Sequence, residues 1–149
     1  MKQDTTTDRT AVHDVLDRAD VLWLAICDEQ GPYSLPVNFA RDDDTLVLHS
    51  SRRGRKADAL RSGIVVGFSV AVDIDARMEG DLACKLGYSF RSVCGTAAPC
   101  ELSGDAHRNA LQAITIKYSG RELPLDDRAV QATAVFGLKI RSASARTKE

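Results

Sequence analysis

Aromatic residues are scarce, at 5% of a 149-residue chain with one tryptophan, Trp23. That speaks against the basic–aromatic interleaving on which single-stranded nucleic acids stack. No sign of charge dominates either: 20 Lys+Arg against 21 Asp+Glu leave −1. Bulk electrostatic binding to nucleic acid is excluded, although a local basic patch is not. Long hydrophobic runs are missing. The longest, Val21 to Cys27, falls far short of the roughly 20 residues of a membrane span. The first seven residues carry no apolar stretch of the signal-peptide kind, so no membrane association and a cytoplasmic location are expected. Cysteine is sparse, at Cys27, Cys84, Cys94 and Cys100, with no C-x-x-C pair and no His spaced to complete a zinc pattern. Four reduced thiols are expected, and a Cys94–Cys100 redox pair is the alternative. The sequence also lacks a P-loop, a G-x-G-x-x-G turn and an H-E-x-x-H helix.

What is present suits one globular unit. Hydrophobic residues make up 44% and charged residues 28%. A chain of this length can bury roughly 68–70% of its unfolded surface. One domain is expected over residues 1–141, with a polar, disordered tail over 142–149. Val12, Val15, Leu16 and Ala19 share one face of a predicted helix over residues 5–19, capped by Asp8 or Thr10. The apolar run 21–27 is too short for a good helix and reads as a strand buried on both faces. Strands are predicted over 33–39, with Pro36 demoting that strand to an edge, and over 45–49. A short helix over 56–61, a strand over 64–72 and an irregular loop over 73–87 follow. Residues 88–102 read as a long strand, bulged near Gly95 and Pro99. A helix opening at Ser103 stops at Gly120, and residues 130–140 alternate as a strand. Strands joined by tight turns point to an antiparallel sheet, and about six strands in a chain of this size tend to close into a barrel.

Three stretches could carry chemistry. In the first, Arg52, Arg53, Arg55 and Lys56 cluster just after the strand that ends at His49. Cations at a helix start run against the usual charge preference, and a bound phosphate would account for them, with Ser50 or Ser51 adding a hydroxyl. A solvated basic loop is the alternative. His49 reads as a donor near a ligand's polar tail, as the one acid–base candidate, or as a half-exposed strand end. His13 and His107 fall on predicted polar helix surface. The second stretch is Pro36, Val37, Asn38 and Phe39. A mid-strand Asn flanked by apolar residues needs partners for its amide, either a planar heterocycle or neighbouring backbone. The third runs from Tyr88 to Gly95. There Arg91, amid apolar residues, wants an anion or an internal carboxylate, and Ser92 sits on the opposite strand parity.

Taken in order and spacing, these stretches resemble the flavin-binding split-barrel proteins related to pyridoxamine 5′-phosphate oxidase, and within them the nitroimidazole-resistance (Nim-type) branch. The resemblance spans about residues 11–140. It rests on residues 32–39, on Leu46 to Ser51, on Gly54-Arg55-Lys56, on Gly87-Tyr88, on Arg91-Ser92-Val93 with Gly95, and on Lys117 to Gly120. It implies a mainly β fold, a six-stranded antiparallel split barrel with short flanking helices. It also implies a homodimer with flavin mononucleotide (FMN) at the subunit interface. By that resemblance Pro36, Val37, Asn38 and Phe39 lie along the flavin ring. His49, Ser50 and Ser51 approach the ribityl-phosphate end, Arg55 and Lys56 hold the phosphate, and Tyr88, Arg91 and Ser92 come from the partner subunit. The implied function is an oxidoreductase with a small-molecule electron donor and acceptor, the latter a small oxidant such as a nitroaromatic. A non-catalytic flavin- or haem-binding protein of the same fold is the alternative, and a nucleic-acid-binding small barrel the remote one. Leu86 stands where relatives often carry Trp.

Overall fold

Asp8 sets where the first helix begins. Its carboxylate accepts the Ala11 N–H at 2.9 Å, one of the donors that a helix start leaves unpaired. Helix α1 therefore spans Arg9–Arg18 rather than 5–19. The β-branched residues before it join a short strand instead, β1 at Gln3–Thr6. The computed structural model describes residues 3–149. The remaining elements are β2 Leu22–Asp28, β3 Gly31–Val37, β4 Phe39–Asp42, β5 Thr45–Ser51, α2 Arg55–Arg61, β6 Val66–Met78, β7 Leu86–Glu101, α3 Gly104–Ser119, α4 Asp127–Ala132 and β8 Thr133–Lys148. No helix among the described residues is long and apolar enough to cross a membrane.

The strands form one antiparallel sheet in the order β3-β2-β6-β7-β8-β5-β4, with β1 added to β8. Because β3 runs straight into β4 through Asn38, the two ends of this order meet, and the sheet curls into a barrel split between them. This is the expected mainly β split barrel, built from eight strands instead of six. Its interior holds Leu22, Leu24, Phe39, Leu48, Phe68 and Phe136, each at most 3% exposed. A second cluster, with Val47, Ala110, Ile114 and Val135, seats α3 against the outside of the barrel. Helix α3 ends as expected, at Gly120 in the left-handed region.

Several expectations are corrected. The 142–149 tail is not disordered: β8 runs on to Lys148, with Ser142 opposite Thr96 and Lys148 opposite Phe90. Period-2 pairing to β7 and β1 gives these polar residues backbone partners that composition does not reveal. The boundary drawn at residue 141 therefore falls inside a strand. Most of the 73–87 loop is strand too. Only the turn around the 3₁₀ segment Ala83–Lys85 interrupts a hairpin in which Asp75 pairs with Ser89 and Met78 with Leu86. Residues 130–132 belong to α4. Strand β2 is not buried on both faces. Leu22, Leu24 and Ile26 point inward while Trp23, Ala25 and Cys27 stand exposed. The bulge expected near Gly95 is present, as a register shift between Thr96 and Ala97. There a Cβ on Gly95 would sit 2.3 Å from the Ser142 carbonyl oxygen and 2.6 Å from the Phe68 ring. His13 is not a free surface residue. Its Nε2 meets Asp44 at 3.0 Å, and Arg9 joins the same turn through Asp43 and Asp44.

Candidate functional site

Two surfaces come together where the barrel is split. The first is the outward face of the sheet. One register row crosses five strands: Pro36, Trp23, Ser69, Cys94 and Ser144. The next row holds Ser34, Ala25, Gly67, Thr96 and Ser142. Apart from Trp23, at 51% exposed, these side chains are small, so the face is flat and shallow. An open groove of about 690 Å³ beside Trp23 is lined in part by Val21, Ser69, Ala71, Ile74 and Cys94. Another, of about 450 Å³, runs past Cys27, Pro32 and Ser34. All four cysteines are free thiols, and all are exposed on the chain. Strand β3 pairs with β2 alone, so alternate backbone N–H and C=O groups along its other edge are unpaired within the sheet.

The second surface is the end of β5. Phe39 pairs with Leu48, which leaves Asn38 and His49 as the next residues on the two sides of the split. Both are exposed. Ser50 has the opposite parity and faces the barrel interior. It is 4% exposed, and its hydroxyl has no hydrogen-bond partner. The Lys56 ammonium sits over this end and donates to the His49 carbonyl at a long 3.4 Å. Burial lowers the Lys56 pKa. Burial and then the Lys56 charge lower that of His49. The imidazole and the ammonium thus share the outer end of β5, where an anion's oxygens would accept from both, while the Ser50 hydroxyl lies on the inward side.

The structure separates the two cations expected to act together. Arg55 gives its fork to Asp28, at 2.8 and 2.7 Å, and to the Gly31 carbonyl at 2.9 Å. It also stacks 4.5 Å from the centroid of the Tyr33 ring. The pairing holds Asp28 below the usual carboxylate range. Arg55 therefore braces the β2–β3 turn, and Lys56 is left as the cation beside His49. Arg52 donates to the Gln131 carbonyl, and Ser51 donates to the Arg53 carbonyl at 2.7 Å. Helix α2 has seven residues and no side-chain cap.

Of the second stretch, Val37 and Phe39 are buried in the core, while Pro36 and Asn38 are exposed. Tyr88, Arg91 and Ser92 lie on β7, away from His49 and Lys56 in the same chain. Arg91 takes long ion pairs, both 3.8 Å, with Asp14 and Asp73. Two positioning residues were not legible beforehand. The Tyr118 hydroxyl accepts the Phe39 N–H at 3.1 Å and donates to the Asp20 carbonyl at 2.6 Å. Lys117 places its Nζ 3.5 Å from the centroid of the Phe39 ring, and burial pushes its pKa down to about 8. Together they pin the corner that presents Asn38. The sequence marked them only as part of the Lys117 to Gly120 stretch of the resemblance, with no role in the site. Trp23 was also missed, because an unbroken apolar run hides its alternation. No group of His, Cys, Asp and Glu among the described residues could hold a metal.

The fold and this site define a mainly β split-barrel protein. The chain belongs to the pyridoxamine 5′-phosphate oxidase family, whose model matches residues 8–147. No curated protein matches it. Among solved structures it is similar to a candidate 5-nitroimidazole antibiotic resistance protein from Bacteroides thetaiotaomicron. That match has TM-score 0.82 and 22% identity over 99% of this chain and 92% of that one. It is similar also to a FAD and heme binding protein from Mycobacterium smegmatis, with TM-score 0.85 and 23% identity over 97% and 73% of the two chains. A FAD-binding protein from Mesorhizobium loti gives TM-score 0.73 and 22% identity over the whole of both. At these identities the likeness is one of fold.

Proposed function

We propose that this protein binds flavin mononucleotide at the interface of a homodimer and passes reducing equivalents to a small oxidant such as a nitroaromatic. One observation carries the reading. The flat outward row from Pro36 to Ser144 continues past Asn38 to an anion-ready corner at His49 and Lys56. That pairs a surface for a planar heterocycle with a seat for a phosphate. Family membership and relatives named for binding FAD support the same reading.

When bound, the flavin supplies the redox chemistry between donor and acceptor. The chain's own residues bind and orient. Lys56 neutralises phosphate charge. His49 donates toward the polar tail. The Asn38 amide and the open edge of β3 offer hydrogen bonds to the rim of the ring. Pro36 and Trp23 supply an apolar wall that excludes water. Tyr88, Arg91 and Ser92 reach the site from the partner subunit. His49 is the acid–base candidate of the corner.

The test is the visible spectrum of the protein after mixing with FMN and desalting, with FAD in a parallel sample. Retained oxidised-flavin bands are expected for FMN, together with quenching of Trp23, the chain's one tryptophan. Retention of neither flavin overturns the reading, and retention of FAD alone overturns its choice of FMN. Turnover of reduced nicotinamide with a nitroaromatic then separates an enzyme from a carrier.

A further inference from the structure

The outward face of the sheet does not end at the row of Trp23 and Cys94. In the next row along the strands, Ala71, Ser92 and Arg146 lie side by side with Thr5. The row after that holds Phe90, Lys148 and Gln3. Residues two apart on a strand share a face, so Cys94, Ser92 and Phe90 continue the flat surface, and Arg146 and Lys148 come with them. Arg146 lies over this surface, its guanidinium carbon 5.6 Å from the centroid of the Phe90 ring. Composition marks this end of β8 as a polar tail, so the cation takes its place only once β8 is paired.

The other charges around the groove are already matched. Arg18 pairs with Asp14 and Asp73, and Arg91 reaches the same two carboxylates. Asp20, which also lines the groove, faces the Lys117 ammonium. Arg146 and Lys148 differ. Among the described residues neither makes an ion pair or a side-chain hydrogen bond. A guanidinium laid on an aromatic ring with its fork unmatched suits a carboxylate, which accepts two parallel N–H donors. This seat is separate from the phosphate corner. Ala134, opposite Ser50, and Arg146 stand toward opposite ends of β8, roughly 40 Å apart along the strand at about 3.3 Å per residue. The seat is also strand on every side, β7, β8 and β1, without the helix start or glycine-rich loop that takes a pyrophosphate. It fits a single small carboxylate.

We propose that Arg146, stacked on Phe90, selects the oxidant: the fork takes the carboxylate of an aromatic acid, with Lys148 as the second cation, so that nitroaromatic acids are preferred over neutral nitroaromatics. This rests on the flavin reading for the redox role of the ligand, while the carboxylate seat belongs to the chain's own residues. Ser92 stands beside Arg146 in the register, so whichever subunit lends Ser92 to the flavin lends Arg146 with it.

Titration calorimetry with 4-nitrobenzoate and with neutral 4-nitrobenzyl alcohol tests the seat, on protein mixed with FMN and desalted and on untreated protein alike. The wild type should bind the acid about tenfold more tightly than the alcohol, and the preference should shrink as salt is raised. Arg146→Gln should weaken the acid about tenfold and the alcohol by under about twofold. Arg146→Lys should keep part of the preference, because it keeps the charge and loses the fork. Lys139→Gln, which removes an exposed cation elsewhere on β8, should keep all of it. A wild type without the preference overturns the proposal. So does an Arg146→Gln variant that keeps the preference, or one that loses acid and alcohol alike, since Arg146 would then only support the fold. Titrations with FMN and riboflavin check the remaining assignment: a loss at Arg146→Gln confined to FMN gives this cation to the flavin phosphate and overturns the carboxylate seat. A preference for the acid in protein that retains no flavin leaves the seat standing and removes the cofactor reading instead.

Discussion

The two faces of one sheet are built to opposite ends. On β2, Leu22, Leu24 and Ile26 are at most 2% exposed, while their immediate neighbours Trp23, Ala25 and Cys27 are open. The inner face is aliphatic and aromatic, and closely fitted. The outer face is small, flat and mixed in polarity, except at Trp23 and along the β6–β7 hairpin of residues 74–88. Alternation along a strand allows the two to be specified independently. The inner residues hold the fold together, and the outer ones are left for what the fold meets.

Substitutions on adjacent residues should separate these roles. Leu24→Ala should cost about 2–5 kcal/mol of stability in urea denaturation, because a fully buried leucine leaves a cavity. Its neighbour Trp23→Ala should cost under about 1 kcal/mol yet abolish retention of FMN after desalting. A Trp23 variant that keeps its flavin would break the comparison. Gly95→Ala comes next, at about 1–3 kcal/mol. A Cβ there has no room against the Ser142 carbonyl, which is backbone and cannot swing aside. Stability close to wild type would show that β7 and β8 give more readily than their close contact implies.

Lys56→Ala should weaken FMN about tenfold, or ~1.4 kcal/mol, and leave riboflavin unchanged, since riboflavin has no phosphate. Arg55→Ala should weaken both equally, because its fork is spent on Asp28 and Gly31. Titration calorimetry with the two ligands reads the difference. A phosphate-selective loss at Arg55 would reverse the division of labour drawn here.

The smallest effect lies at the α1 clasp. The His13 hydrogen bond and then Arg9 hold the Asp44 carboxyl below its usual range. The unfolded chain therefore takes up that proton at a higher pH than the folded one. The clasp's contribution is complete above the ordinary carboxylate range of about pH 4 and is lost as the pH falls through the folded value. Asp44→Asn should lower the melting temperature slightly at pH 7 and flatten its acid-side decline. An unchanged acid limb would show that the exposed clasp contributes nothing.

Much of the architecture was legible because it follows from local rules. Asp8 and Gly120 mark helix ends by hydrogen bonding and by a left-handed backbone. Pro36 marks an edge strand because it has no N–H to donate. The misreadings share a cause. Residues 142–148 and 73–78 are polar or mixed, and they become strand because a neighbouring strand lies within hydrogen-bonding reach. Sequence patterns register burial, and these segments are bound by backbone pairing with little burial. The run 21–27 fails in the reverse direction: every residue is apolar, so the alternation that exposes Trp23 leaves no trace in polarity.

The candidate site divides the same way. The sequence by itself determined its ingredients, His49, Ser50 and Lys56 on one short segment and Asn38 on another, because strand-end and loop positions are set by local composition. Which cation stays available was decided by tertiary structure. Arg55 and Lys56 are adjacent in sequence, but α2 turns one toward Asp28 and the other toward His49. The exposed apolar face of the β6–β7 hairpin was likewise decided by strand register, which sets Met78 beside Leu86 and Ala76 beside Tyr88. Those pairings join segments on opposite sides of a turn, and a one-residue slip would have put charge where the apolar face now stands.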